Sequence, residues 1–127
     1  IEAEATAQSN IVAARELLNE FMKYRFTDGS YDCSERTPTL KSFIEELILQ
    51  KRIEFWGEGI IMFDLKRLDM SMTRGYKGTN SPSDYRLNTD GRAPHWNFVI
   101  PRGEIQNNPA VVNNPDPSGK ITPWTDK

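Results

Sequence analysis

RIEFWGEGIIMFDLKR, residues 52–67, is the stretch on which the reading of this chain turns. It has the apolar content of a core helix in Phe55, Trp56, Ile60, Ile61 and Phe63. Interleaved with these are Arg52, Glu54, Glu58, Asp64, Lys66 and Arg67, and Gly57 and Gly59 lie near its centre. Three arrangements place charges among apolar residues in this way: an active site, a metal site and a structural ion network. The surrounding sequence has to choose among them.

Upstream, Leu40, Phe43, Ile44, Leu47 and Ile48 recur at helical spacing, and Thr37 or Thr39 can cap the start of that helix with Pro38 in its first turn. Continued at 100° per residue, the apolar line runs into Lys51, Glu54 and Glu58. Leu49, Ile53, Trp56 and Ile60 make a second stripe on the opposite side. The expectation is a helix covered on two sides, its charges paired in a groove and Trp56 in the core. Gly57 and Gly59 permit a bend before a third helical piece over about 60–69. Further upstream, Ile11, Ala14, Leu18, Phe21 and Met22 predict one helix from about Glu4 to Arg25, widened by Leu17 and Tyr24 and ended at Asp28-Gly29.

Downstream, residues 71–94 are polar and rich in Gly, Ser, Asn and Pro, a length of loop that is usually functional or disordered. Its aromatics, Tyr76 and Tyr85, are the best-placed ligand candidates. Trp96–Pro101 reads as a short extended segment with Trp96 packed, and Pro101 with Glu104 as one helical turn. Pro109, Pro115, Pro117 and Pro123 argue against regular structure in the tail. The fold class is mainly α: a tetratricopeptide-like helix pair, a bent third helix and a long irregular C-terminal segment, without a second copy of a repeat in the chain. The division is helical over 1–69 and irregular with short pieces over 70–127.

Composition removes several classes. The 127 residues suit one domain or part of a larger one, and a net charge of −2 offers no basic excess for nucleic acid. The single cysteine, Cys33, can form neither an intrachain disulfide nor a zinc site with a second thiol, and reads as an inert buried thiol. No apolar run is long enough to span a membrane, and no signal peptide is present. The opening IEAEATAQSN lacks an initiator methionine and is already helical in character, which points to a processed chain or a fragment.

Glu54 and Glu58 share a helix face and could be an acid/base pair, as in glycoside hydrolysis, but such pairs usually face each other across a cleft on separate elements. A metal held by Glu58 and Asp64 has less support still, and His95 is the only histidine for a triad or an imidazole site. A structural ion network over Arg52, Glu54, Glu58, Asp64 and Arg67 is the reading preferred, because a buried carboxylate deprived of its partner costs roughly 3–5 kcal/mol. Neither a catalytic residue, a cofactor nor a metal is expected.

The residues also resemble a known family. Arg52, Glu54, Phe55, Glu58 and Gly59, followed by Asp64, Leu65 and Arg67, resemble the signature R-x-E-L-x-x-E-G-x-R-x-x-D-L-x-R-W of SusD/RagB proteins. Ile100-Pro101, Glu104-Ile105, Asn108-Pro109 and Asn114-Pro115 resemble the closing I-P-x-x-E-I-x-x-N-P and Q-N-P-G of the same family. The two motifs stand in the right order and span about 40–115. Ile61 replaces the usual arginine, Leu68 an aromatic, and Asp116 a glycine.

The resemblance implies a surface-facing outer-membrane lipoprotein, not an enzyme, that binds glycan and passes it to a SusC-like TonB-dependent transporter. It implies tetratricopeptide-like helix pairs, and that this chain is the C-terminal portion of a longer protein whose lipid anchor lies outside it. No ligand residue of the family maps securely onto a position here. Two other functions compete. One is a protein-interaction module contacting the transporter or a peptide; the other is a glycoside hydrolase using Glu54 and Glu58.

Overall fold

In a computed structural model of the chain, the structure describes residues 1–93, 96–114 and 121–123, the last three by their backbone. The chain is mainly helical, as expected. It divides into two compact units, residues 1–61 and 62–127.

The first unit holds α1 (Glu2–Ala7), α2 (Ile11–Met22) and α3 (Leu40–Glu54). The single helix expected over Glu4–Arg25 is interrupted at residues 8–10. Asn10 has extended backbone, and its Oδ1 accepts hydrogen bonds from the N–H groups of Val12 and Ala13, each at 3.1 Å. A capping side chain satisfies donors that would otherwise be orphaned, so the sequence starts a new helix here although its apolar periodicity continues. Thr39 caps α3 in a reciprocal capping box with Ser42. Pro38 therefore precedes the cap instead of occupying the first turn.

Thr37 is used differently. It is buried, its hydroxyl donates to the Cys33 carbonyl at 2.8 Å, and Arg15 donates to both its hydroxyl and its carbonyl. Asn19 on α2 holds the same connection, accepting from the Cys33 N–H at 3.0 Å and donating to Asp32 at 2.8 Å. The core formed is Ala7, Ala14, Leu18, Met22, Cys33 and Phe43, with Ala3, Ile11, Tyr31, Ile44 and Leu47 against it.

The second covering expected for α3 is not found. Leu49 and Ile53 are exposed, and Trp56 is 86% exposed, not a core residue. The physical reason is that α1, α2 and the 23–39 connection all pack on the Phe43 side of the helix. After Glu54 the chain does not continue as a bent helix. Gly57 and Gly59 have φ of 83° and 74°, left-handed values that glycine adopts without the Cβ clash, and they turn the chain before α4 (Ile61–Arg67).

The second unit is built less from apolar packing than from side chains bonding to backbone. The stretch expected to be a loop contains a 3-10 helix, Ser83–Tyr85, and β1 (Leu87–Thr89), which pairs antiparallel with β2 (Ile121–Pro123) in the register Leu87↔Pro123, Asn88↔Thr122, Thr89↔Ile121. A regular element therefore exists in the proline-rich tail, with Pro123 at the end of an edge strand, where a missing N–H is tolerated. Trp96 is buried, but the segment after it is not a strand: Phe98 and Val99 are exposed, and Ile100 donates to the Asn113 side chain at 3.1 Å. α5 (Arg102–Asn107) follows Pro101.

Candidate functional site

Tyr76 and Tyr85 stand on one closed loop of the second unit. At its base Thr89 exchanges two bonds with Met72: its N–H donates to the Met72 carbonyl at 2.9 Å, and its hydroxyl accepts from the Met72 N–H at 2.8 Å. Thr73 and Asn88 form an antiparallel bridge. Within the loop, Arg86 Nε donates to the Ser81 carbonyl at 2.9 Å, and the Thr79 N–H donates to the Tyr76 carbonyl at 3.0 Å. The loop is thus braced at its base and across its middle, while Tyr76 and Tyr85 are 53% and 63% exposed. An exposed phenol on a braced backbone offers an apolar ring face and a hydroxyl with little backbone left to order, which suits stacking on a polar ring.

The charged residues of the opening stretch do not behave alike. Asp64 is buried and takes two hydrogen bonds from Arg67, at 3.0 Å from Nε and 2.8 Å from Nη2. Glu54 is paired with Arg25, a partner that lies outside the signature stretch and that its spacing gave no means to foresee. Arg52 and Glu58 are exposed side chains. The carboxylates Glu54 and Glu58 do not share a cleft: Glu54 lines the hollow described next, and Glu58 does not.

That hollow, about 640 Å3, opens between α1, α2 and α3. Its walls are apolar, from Ile1, Ala3, Leu17, Leu18, Phe21, Leu47, Phe55 and Ile60, with Glu2, Glu4, Gln50, Lys51 and Glu54 among them. Nearby chemistry is structural. The Tyr31 hydroxyl donates to Glu46 Oε1 at 2.7 Å, and burial together with that carboxylate pushes its pKa well above the ordinary value. The Arg36 guanidinium sits over the Tyr31 ring at 5.0 Å, and Phe26 stacks on the ring at 5.4 Å. Burial likewise raises the Cys33 thiol, so it is a weaker nucleophile than a free cysteine. Among the described residues no cluster of three His, Cys, Asp or Glu could hold a metal, and no helix is long and apolar enough to cross a membrane. His95 and Trp124 lie outside the described residues.

The sequence profile of the SusD family matches residues 1–116, both units included. The chain belongs to the SusD family. No curated protein and no solved structure matches it. SusD proteins bind carbohydrate at the outer membrane, work with SusC-like transporters and are not enzymes. In this SusD chain the signature residues divide: Arg25–Glu54 closes the first unit, and Asp64–Arg67 forms a short-range pair in the second. What the sequence missed is the frame of the tyrosine loop. Asn88 and Thr89 carry it, and a polar Asn-Thr pair gives no periodic signal by which to find it.

Proposed function

We propose that this chain is the C-terminal portion of a SusD-type glycan-capture lipoprotein of the outer membrane, handing oligosaccharide to a SusC-like TonB-dependent transporter. In this reading Tyr76 and Tyr85 contribute to the glycan contact by stacking and by hydroxyl hydrogen bonds. The single observation that supports it most is the family match over residues 1–116, which covers both motifs. The exposure of both tyrosines on a braced loop supports their part in it. The ion pairs Arg25–Glu54 and Asp64–Arg67, and with them the exposed Arg52 and Glu58, belong in this view to the scaffold and not to the ligand site.

Calorimetry against a panel of soluble oligosaccharides tests the proposal. Binding is expected for the chain and for the longer protein, and Tyr76→Ala or Tyr85→Ala is expected to weaken it by roughly tenfold, the value of one lost aromatic stack. Binding that neither substitution alters places the site elsewhere.

A second reading, a protein-interaction module, is favoured by the apolar hollow between α1, α2 and α3. Retention of the isolated SusC-like transporter by the chain, lost on Phe21→Glu, together with no binding of any glycan in the panel, is the result that distinguishes it.

A further inference from the structure

We infer that Asn88 is a positioning residue that makes Tyr76 and Tyr85 one binding site for an extended oligosaccharide; the inference rests on the glycan-binding reading of those tyrosines. Asn88 does more than a strand residue needs to. Its backbone belongs to β1, bridging Thr73 and pairing with Thr122. Its side chain reaches back across the loop: Oδ1 accepts from the N–H of Arg74 at 3.0 Å and of Gly75 at 2.9 Å, and Nδ2 donates to the Gly75 carbonyl at 3.2 Å. All the amide's bonds fall on the two residues immediately before Tyr76. Gly75 is itself buried, so its two bonds to the amide are partly shielded from competing water, while the bond to Arg74 is exposed.

The other stem leads to Tyr85. It sits in the 3-10 helix just before β1, and the intervening Arg86 is tied to Ser81. Ser81 in turn donates its N–H to Thr79 Oγ1 at 3.2 Å, and Thr79 closes the Tyr76 turn. The two tyrosines are therefore fixed to each other by the Asn88 side chain on one route and by Arg86, Ser81 and Thr79 on the other. Tyr76 is one residue from the clamped Gly75 and Tyr85 three from Asn88. At about 3.8 Å per Cα step, these four steps amount to at most about 15 Å of chain on the two sides of the Asn88–Gly75 clamp. An extended glycan long enough to span that distance can contact both tyrosines, and the braced backbone beneath them limits the sugar repeats that fit.

The test uses the full chain with glucohexaose, mannohexaose and xylohexaose as probes, by calorimetry, with hydrogen exchange of the Arg74 and Gly75 amides as a ligand-free readout. For a hexaose that binds, Asn88→Ala is expected to lose protection at those two amides and to weaken affinity about tenfold. In the Asn88→Ala background, Tyr76→Ala is expected to have little further effect, because the ring is no longer held in place. Asn88→Asp keeps the acceptor for both N–H groups and loses the donor to Gly75, so it is expected to recover most of the affinity. Full affinity in Asn88→Ala, or an undiminished Tyr76→Ala effect in that background, overturns the positioning role while leaving the tyrosines as glycan contacts. Hexaose binding that neither tyrosine substitution changes overturns the assignment of the tyrosines, and binding of none of the three probes counts against the glycan reading and the inference together.

Discussion

At the residue scale, Trp56 and Trp96 are both expected to be packed, and only Trp96 is. Trp56 follows Leu49 and Ile53 at helical spacing, the pattern of a core position, yet it projects into solvent; Trp96 begins a stretch without periodicity and is 7% exposed. Spacing reports which residues share a helix face and says nothing about whether a neighbour covers that face. Trp56→Ala is therefore expected to change stability by no more than about 0.5 kcal/mol, where a core tryptophan would cost roughly 3–5 kcal/mol. Chemical denaturation checks the magnitude. Acrylamide quenching of tryptophan emission provides a second measurement, since an accessible fraction is expected to be lost with Trp56.

At the scale of elements, the connection between α2 and α3 shows how polar residues specify structure that hydrophobic periodicity cannot. Hydrogen bonds from the Ser34 hydroxyl, from the Ser34 N–H at 2.9 Å and from Asn19 hold the Asp32 carboxyl below the usual carboxylate range; Ser30 does the same for Asp28. Both groups favour their charged form in the folded chain. Their contribution is complete above the pKa each would have unfolded, near 4, and is lost as pH falls through the lowered folded value. Acid titration followed by hydrogen exchange at Cys33 is expected to show this connection loosening at low pH while neutral pH leaves it unchanged. Asp32→Asn, which keeps an oxygen acceptor without the charge, is expected to flatten that acid dependence. A connection whose protection is independent of pH would show that the two carboxylates do not hold it.

At the scale of the whole molecule, the two units rest on different physics. The 1–61 unit is organised around apolar burial, with Phe43 among its completely buried side chains. Phe43→Ala is expected to cost about 3–5 kcal/mol, read as a lower denaturation midpoint with unchanged far-UV circular dichroism at low denaturant. The 62–127 unit leans on side-chain amides, hydroxyls and carboxylates bonded to loop backbone, as at Asn88, Thr89 and the Asp69 bond to the Arg92 N–H. This difference explains what was legible. The helical class, a start of α3 at Thr37 or Thr39 and the SusD motifs follow from the sequence by itself, because periodicity, capping chemistry and residue order are local properties; the structure chooses Thr39. The break at Asn10 is local as well, a capping side chain on Val12 and Ala13 that a reading by apolar periodicity passes over. The exposure of Trp56, the Arg25–Glu54 pair and the β1–β2 ladder with its Asn88 clamp were decided only in three dimensions. Each depends on which distant segment arrives as a partner, and neither a carboxylate nor an amide encodes in its neighbours the group that it will meet.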